Sequence, residues 1–102
     1  MHYPSFALIL VAFSSSLYAS DDGDPELGKV KSPSCVFCHN PTSPSADNSY
    51  PKLSGQDPTY LFNTMKAYQN GERHGDYADM MRAQLSKLND QDLKDIAAFY
   101  TS

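Results

Sequence analysis

Residues 20–102 contain only twelve Leu, Ile, Val and Phe side chains, and this shortage limits what the chain can fold into more than any other feature. A chain of 102 residues has room for one domain and no second catalytic lobe. Domains this small bury a modest share of their surface and usually need a staple, a metal or a cofactor. Something other than aliphatic side chains must complete the interior.

Ahead of that stretch, FALILVAFSSSLYA runs apolar from Phe6 to Phe13 and closes on small residues ending at Ala19. The pattern matches a secretory signal peptide over residues 1–19, cleaved after Ala19, followed by a single domain over 20–102. The apolar run falls short of the roughly 20 residues that a spanning helix needs, so no permanent membrane anchor is expected. Eight Lys and Arg against twelve Asp and Glu give a net charge of −4. No stretch clusters basic residues with interleaved aromatics, which excludes the usual electrostatic footprint of a nucleic-acid binder.

The periodicity is helical throughout, and no alternating stretch reaches strand length. In DPELGKVK, residues 24–31, Asp24 is placed to cap a short helix with Pro25 in its first turn, and Leu27 and Val30 share one face. Pro33 should end or bend this helix just before Cys35. The stretch NPTSPSADNS from Asn40 reads as a loop. In DPTYLFNTMKAYQNG the same start signal recurs with Asp57 and Pro58, and Gly71 follows the end. Leu61, Met65 and Tyr68 then form one face, expected to be core. Met81, Leu85 and Leu88 keep helical spacing. The last helix begins after Asn89 and lays Leu93, Ile96, Ala97 and Tyr100 on its apolar face, with Leu88 and Leu93 placed as a hydrophobic staple. The fold class is all-α. Most of the Asp residues are expected as helix caps and solvated faces.

SPSCVFCHNP, residues 32–41, carries the chemistry. A disulfide between Cys35 and Cys38 would close a tiny loop and add little stability. A tetrahedral zinc site wants four ligands, and beyond Cys35, Cys38 and His39 the exported chain offers only His74. A redox dithiol of the thioredoxin type belongs beside a β-α-β pattern, and none is present. Haem attachment accounts for all three residues together: Cys35 and Cys38 supply thioethers, His39 binds the iron, and the porphyrin supplies the missing apolar mass.

Around that motif, GDPELGKVKSPSCVFCHN, YPKLSGQDPTYL, YQNGER and LNDQDLKDIAAFY resemble the small bacterial class I cytochromes c, particularly one domain of the tandem di-haem carriers, over nearly all of Gly23 to Tyr100. The resemblance implies a few helices wrapped round one covalently bound haem c per chain, with the N- and C-terminal helices crossing near Gly28 and the Phe99–Tyr100 pair. It implies that the Pro51 carbonyl accepts from the free ring nitrogen of His39. It also implies a distal methionine seven residues before the Leu that opens the last helix signature, which is Met81 counted back from Leu88. Met80 is the adjacent rival, Met65 reads as core filler and His74 as a solvated loop residue. Asn40 and Pro41 stand where glycine is usual in that family.

The function implied is periplasmic one-electron transfer with His/Met ligation, without catalytic residues, between redox partner proteins. The alternatives are a haem sensor with a displaceable distal ligand and an electron-transfer subunit of a larger oxidoreductase complex.

Overall fold

The computed structural model describes residues 22–41 and 50–102. The expected signal segment, 1–19, and most of the expected loop, 42–49, lie outside the described residues. Among them the chain forms α1 (Pro25–Lys31), α2 (Pro33–Val36), α3 (Pro58–Gln69), α4 (Ala78–Leu85) and α5 (Asp90–Thr101), with no strand.

Local side-chain chemistry starts three of these helices. The Asp24 carboxylate accepts from the backbone N–H of Glu26 at 2.9 Å and of Leu27 at 3.3 Å, and Asp57 accepts from the N–H of Tyr60 at 2.8 Å. Asn89 and Asp92 form a reciprocal capping box, at 2.8 and 3.0 Å. Each satisfies a donor that the first helical turn leaves without an intrahelical partner. Pro33 does more than end α1: it occupies the first turn of α2, so the chain breaks at Ser32 and re-forms a short helix carrying Cys35.

Gly28 sets the tertiary arrangement. It is the buried residue of α1, and a β-carbon there would overlap the backbone carbonyl of Asp95 and lie 2.8 Å from the β-carbon of Phe99. Only a bare backbone lets α1 cross α5 this closely. The crossing uses the glycine face of α1, so Leu27 and Val30, which share a face in the sequence pattern, stay exposed at 49% and 74%.

The same crossing gives one acidic residue a different role. Asp95 is fully buried, and its carboxylate accepts from Asp24 N–H at 2.8 Å, Lys31 Nζ at 2.6 Å and Gln91 Nε2 at 2.9 Å. Burial alone would raise its pKa, but these three donors outweigh desolvation and hold it below the usual carboxylate value. Lys31 also pairs with Asp92 at 2.8 Å.

Beneath the crossing, Leu61, Ile96, Ala97 and Tyr100 form the core, with Leu53, Met65, Leu88 and Phe99 packed around it. Leu93 and Leu85 are also buried, each such side chain stabilising the fold by roughly 1.5–3 kcal/mol. The Gln69 amide donates to the carbonyls of Leu85 and Leu88, both at 2.9 Å, tying α3 to the connection between α4 and α5.

Candidate functional site

A cavity of about 720 Å³ opens between these helices, lined by Cys35, Cys38 and His39 on one part of the chain and by Met80 and Met81 of α4 on another. Its volume lies in the roughly 300–1,000 Å³ range of small-molecule and cofactor sites. Of the α3 face expected to be core, Leu61 belongs to the core cluster and Met65 packs against it, and Leu61, Met65 and Tyr68 all also line the cavity. Too few aliphatic side chains exist to close the interior behind them.

His39 is the best-held group. Its backbone N–H donates to Cys35 O at 2.7 Å, and its own carbonyl accepts the buried Tyr100 hydroxyl at 2.6 Å. Its Nδ1 lies 2.8 Å from the Pro51 carbonyl. A carbonyl oxygen can only accept, so Nδ1 carries the proton and Nε2 keeps its lone pair for a metal. The ring also meets Tyr50 edge-on at 6.3 Å between centroids, and Tyr50 in turn packs on Tyr77 at 5.6 Å.

The two cysteines are free thiols, both half-buried. They lie on one turn, with Cys35 N–H donating to Ser32 O at 3.0 Å and Cys38 N–H to Cys35 O at 3.2 Å. Burial pushes the Cys35 thiol above its ordinary pKa, partly offset by hydrogen bonds from Ser34 and Ser32. Of the methionines, Met81 is half-buried and Met80 is 37% exposed. His74 is exposed and lies outside the cavity wall.

The residues fit a haem on their own chemistry. One predominantly apolar and aromatic cavity gathers two adjacent thiols, an imidazole with a free Nε2, and soft thioether sulfurs from a separate helix.

No protein-family model matches the chain. Cytochrome c-554(548) of Halomonas halodenitrificans is 41% identical over 80 residues, which cover 78% of this chain and 96% of that protein. The chain belongs to the cytochrome c family.

Cytochrome c4 of Azotobacter vinelandii is 37% identical over 86 residues, covering 78% of this chain but 41% of that cytochrome. The chain thus spans about two fifths of the cytochrome c4 it matches. The thiosulfate dehydrogenase electron acceptor of Stutzerimonas stutzeri is 30% identical over 70 residues, 32% of its length. The all-α arrangement is that of a class I cytochrome c, and covalently bound haem c is the cofactor of such a cytochrome.

Three features of this cytochrome site escaped the sequence reading. The Tyr100 hydroxyl anchors the His39 backbone from 61 positions away; the available signal was a Tyr on the core face of the last helix, since a buried phenol needs an acceptor. Tyr50 packs on the histidine and Tyr77 on Tyr50, with no periodicity to mark either. Tyr77 further adopts a left-handed backbone, φ 67°, at the start of α4.

Proposed function

We propose that this cytochrome is a single-electron carrier in which Cys35 and Cys38 would hold haem c through thioethers, His39 Nε2 and Met81 Sδ would bind its iron, and Pro51 would orient His39. The observation that carries the reading is the one cavity shared by both thiols, the Nδ1-engaged histidine and the α4 methionines. Bound haem c supplies a one-electron Fe(II)/Fe(III) couple. The protein's part is to hold that couple in place. Pro51 clamps the imidazole at Nδ1 and Tyr100 clamps its carbonyl, so the histidine keeps one position in both oxidation states. The Met81 thioether, soft and uncharged, would favour ferrous iron and raise the potential relative to a second histidine. Met81 is preferred to Met80 by its place seven residues before Leu88 and its greater burial.

In this reading residues 1–19 direct export to the periplasm, 20–102 are the single cytochrome domain, and no residue acts on a substrate. Its partners are redox proteins; the electron-acceptor name of the Stutzerimonas relative makes a dehydrogenase one class of donor. A second reading, a haem sensor or complex subunit with a displaceable distal ligand, draws on the exposure of Met80 beside Met81.

Absorption spectra of the oxidised and reduced protein, made in a host that attaches haem c, test the proposal. A c-type spectrum is expected, and its absence refutes the reading. Met81→Ala should abolish the methionine-to-ferric-iron charge-transfer band; if the band survives, Met80 is the ligand. Rapid carbon monoxide binding to the reduced protein near neutral pH would replace the six-coordinate carrier with the sensor reading.

A further inference from the structure

Among the described residues Tyr77 is the one residue other than glycine with a positive φ, 67°, and it stands immediately before α4, the helix that carries Met80 and Met81. Glycine, asparagine or aspartate is the usual occupant of a left-handed position, because a larger side chain crowds its own backbone there. A bulky residue persists in that conformation only where its surroundings hold it. The Tyr77 side chain does not cap α4, and the residue is 46% exposed, so neither capping nor burial offsets the strain.

What the ring does meet is Tyr50, at 5.6 Å between centroids and an interplanar angle of 45°, inside the roughly 4.5–7 Å range of favourable aromatic pairs. Tyr50 in turn stands edge-on to the His39 ring and directly precedes Pro51, whose carbonyl accepts from His39 Nδ1. On the other side, the Tyr77 carbonyl accepts from Met81 N–H at 2.9 Å. The two rings thus join the segment that orients the histidine to the turn that presents the methionines, and both segments line one cavity. α4 is held unevenly along its length. At its C-terminal end Leu85 is buried and its carbonyl accepts from the Gln69 amide of α3. At its start Ala78 is buried, but Met80 is exposed and Gly75, at φ 121°, lies just ahead.

From this geometry we infer that the Tyr50–Tyr77 pair is a latch that holds the first turn of α4 against the His39 segment, and that Tyr77 is a positioning residue for the axial methionine. The inference rests on the haem-carrier reading above. It holds for Met81 or Met80 alike, because both belong to the turn that Tyr77 starts.

Titration of the ferric holoprotein with imidazole tests this. Added imidazole binds the iron only where the methionine has left it, so its apparent affinity scales with the population of that open state. Tyr77→Asn keeps a residue suited to the left-handed backbone and removes the ring. Losing the aromatic pair should raise the apparent imidazole affinity about two- to tenfold while the c-type spectrum is retained. Tyr77→Phe keeps the ring and should match the parent. In a Tyr50→Leu background, Tyr77→Asn should add little further, since the ring has already lost its partner. An affinity in Tyr77→Asn equal to or below the parent's overturns the proposal, because relief of backbone strain alone predicts that result. So does a Tyr77→Phe protein that behaves like Tyr77→Asn, or a full second increment in the double variant. If Tyr77→Asn does not accumulate as holoprotein, an experimental structure of the parent holoprotein decides: Tyr50 and Tyr77 ring centroids within about 7 Å uphold the latch, and a wider gap overturns it. A parent protein without a c-type spectrum would instead sink the carrier reading itself.

Discussion

Replacing Asp95 by Asn tests the joint between the first and last helices. The wild-type carboxylate is fully buried and accepts from Asp24 N–H, Lys31 Nζ and Gln91 Nε2 at 2.8, 2.6 and 2.9 Å. Asparagine keeps the shape and one oxygen, which can still accept from Asp24 and Gln91 through the Oδ1 position. Its amide nitrogen then faces the Lys31 ammonium, so donor meets donor. The loss is one charge-assisted hydrogen bond, worth about 1.5–3 kcal/mol. Breaking a fully buried ion pair costs more, about 3–5 kcal/mol, but the Lys31 side chain is 26% exposed and retains Asp92 at 2.8 Å. It can rehydrate, so the lower range applies and about 2 kcal/mol is expected. For a domain of this size that lowers the melting temperature by roughly 8–16 °C.

Guanidinium denaturation of the holoprotein followed by circular dichroism measures the effect, and pH adds a second signature. The folded pKa of Asp95 is depressed, so its contribution is present above the unfolded carboxylate pKa of about 3.9 and is lost as pH falls through the folded value. The pKa of Lys31 is raised, first by its hydrogen bond to Asp92 and then by that to Asp95. Its contribution is therefore full below about pH 10.4 and is lost as pH rises through the folded value. The parent should be flat between these limits, and Asp95→Asn should lose less stability than the parent on acidification. A variant within about 0.5 kcal/mol of the parent, the range of an ordinary surface substitution, would refute the reasoning.

Gly28→Ala should destabilise the holoprotein by about 1–3 kcal/mol, because its β-carbon meets Asp95 backbone and Phe99; an unchanged denaturation midpoint would mean that the helices do not cross there. Tyr100→Phe removes the donor to the His39 carbonyl and should cost about 1–3 kcal/mol while the c-type spectrum persists; equal stability of the two proteins counts against the anchor. Burial pushes the Tyr100 phenol well above its ordinary pKa, so this hydroxyl should show no ultraviolet signature of ionisation at about pH 11, above the ordinary phenol value of about 10.

The helix starts were legible because the groups that cap them are two or three residues from the donors they satisfy, as with Asp24, Asp57, and Asn89 with Asp92. The cluster of two thiols and an imidazole was legible for the same reason: its three groups lie within one short stretch of chain, Cys35 to His39. The last helix also read correctly, since Leu93, Ile96, Ala97 and Tyr100 all face inward. Periodicity failed on α1, where a short helix presents its glycine to its neighbour and leaves Leu27 and Val30 outside.

By itself, the sequence determined an all-helical chain with too little apolar mass for a closed core and a local cluster of Cys35, Cys38 and His39. Tertiary structure alone decided which Asp is buried, which tyrosine holds His39, and which face of α3 becomes cavity wall. The reason is separation along the chain. Asp95 meets Asp24 and Lys31 across 71 and 64 positions, and Tyr100 meets His39 across 61. No local pattern encodes such a meeting; it exists only once Gly28 has let the two terminal helices cross.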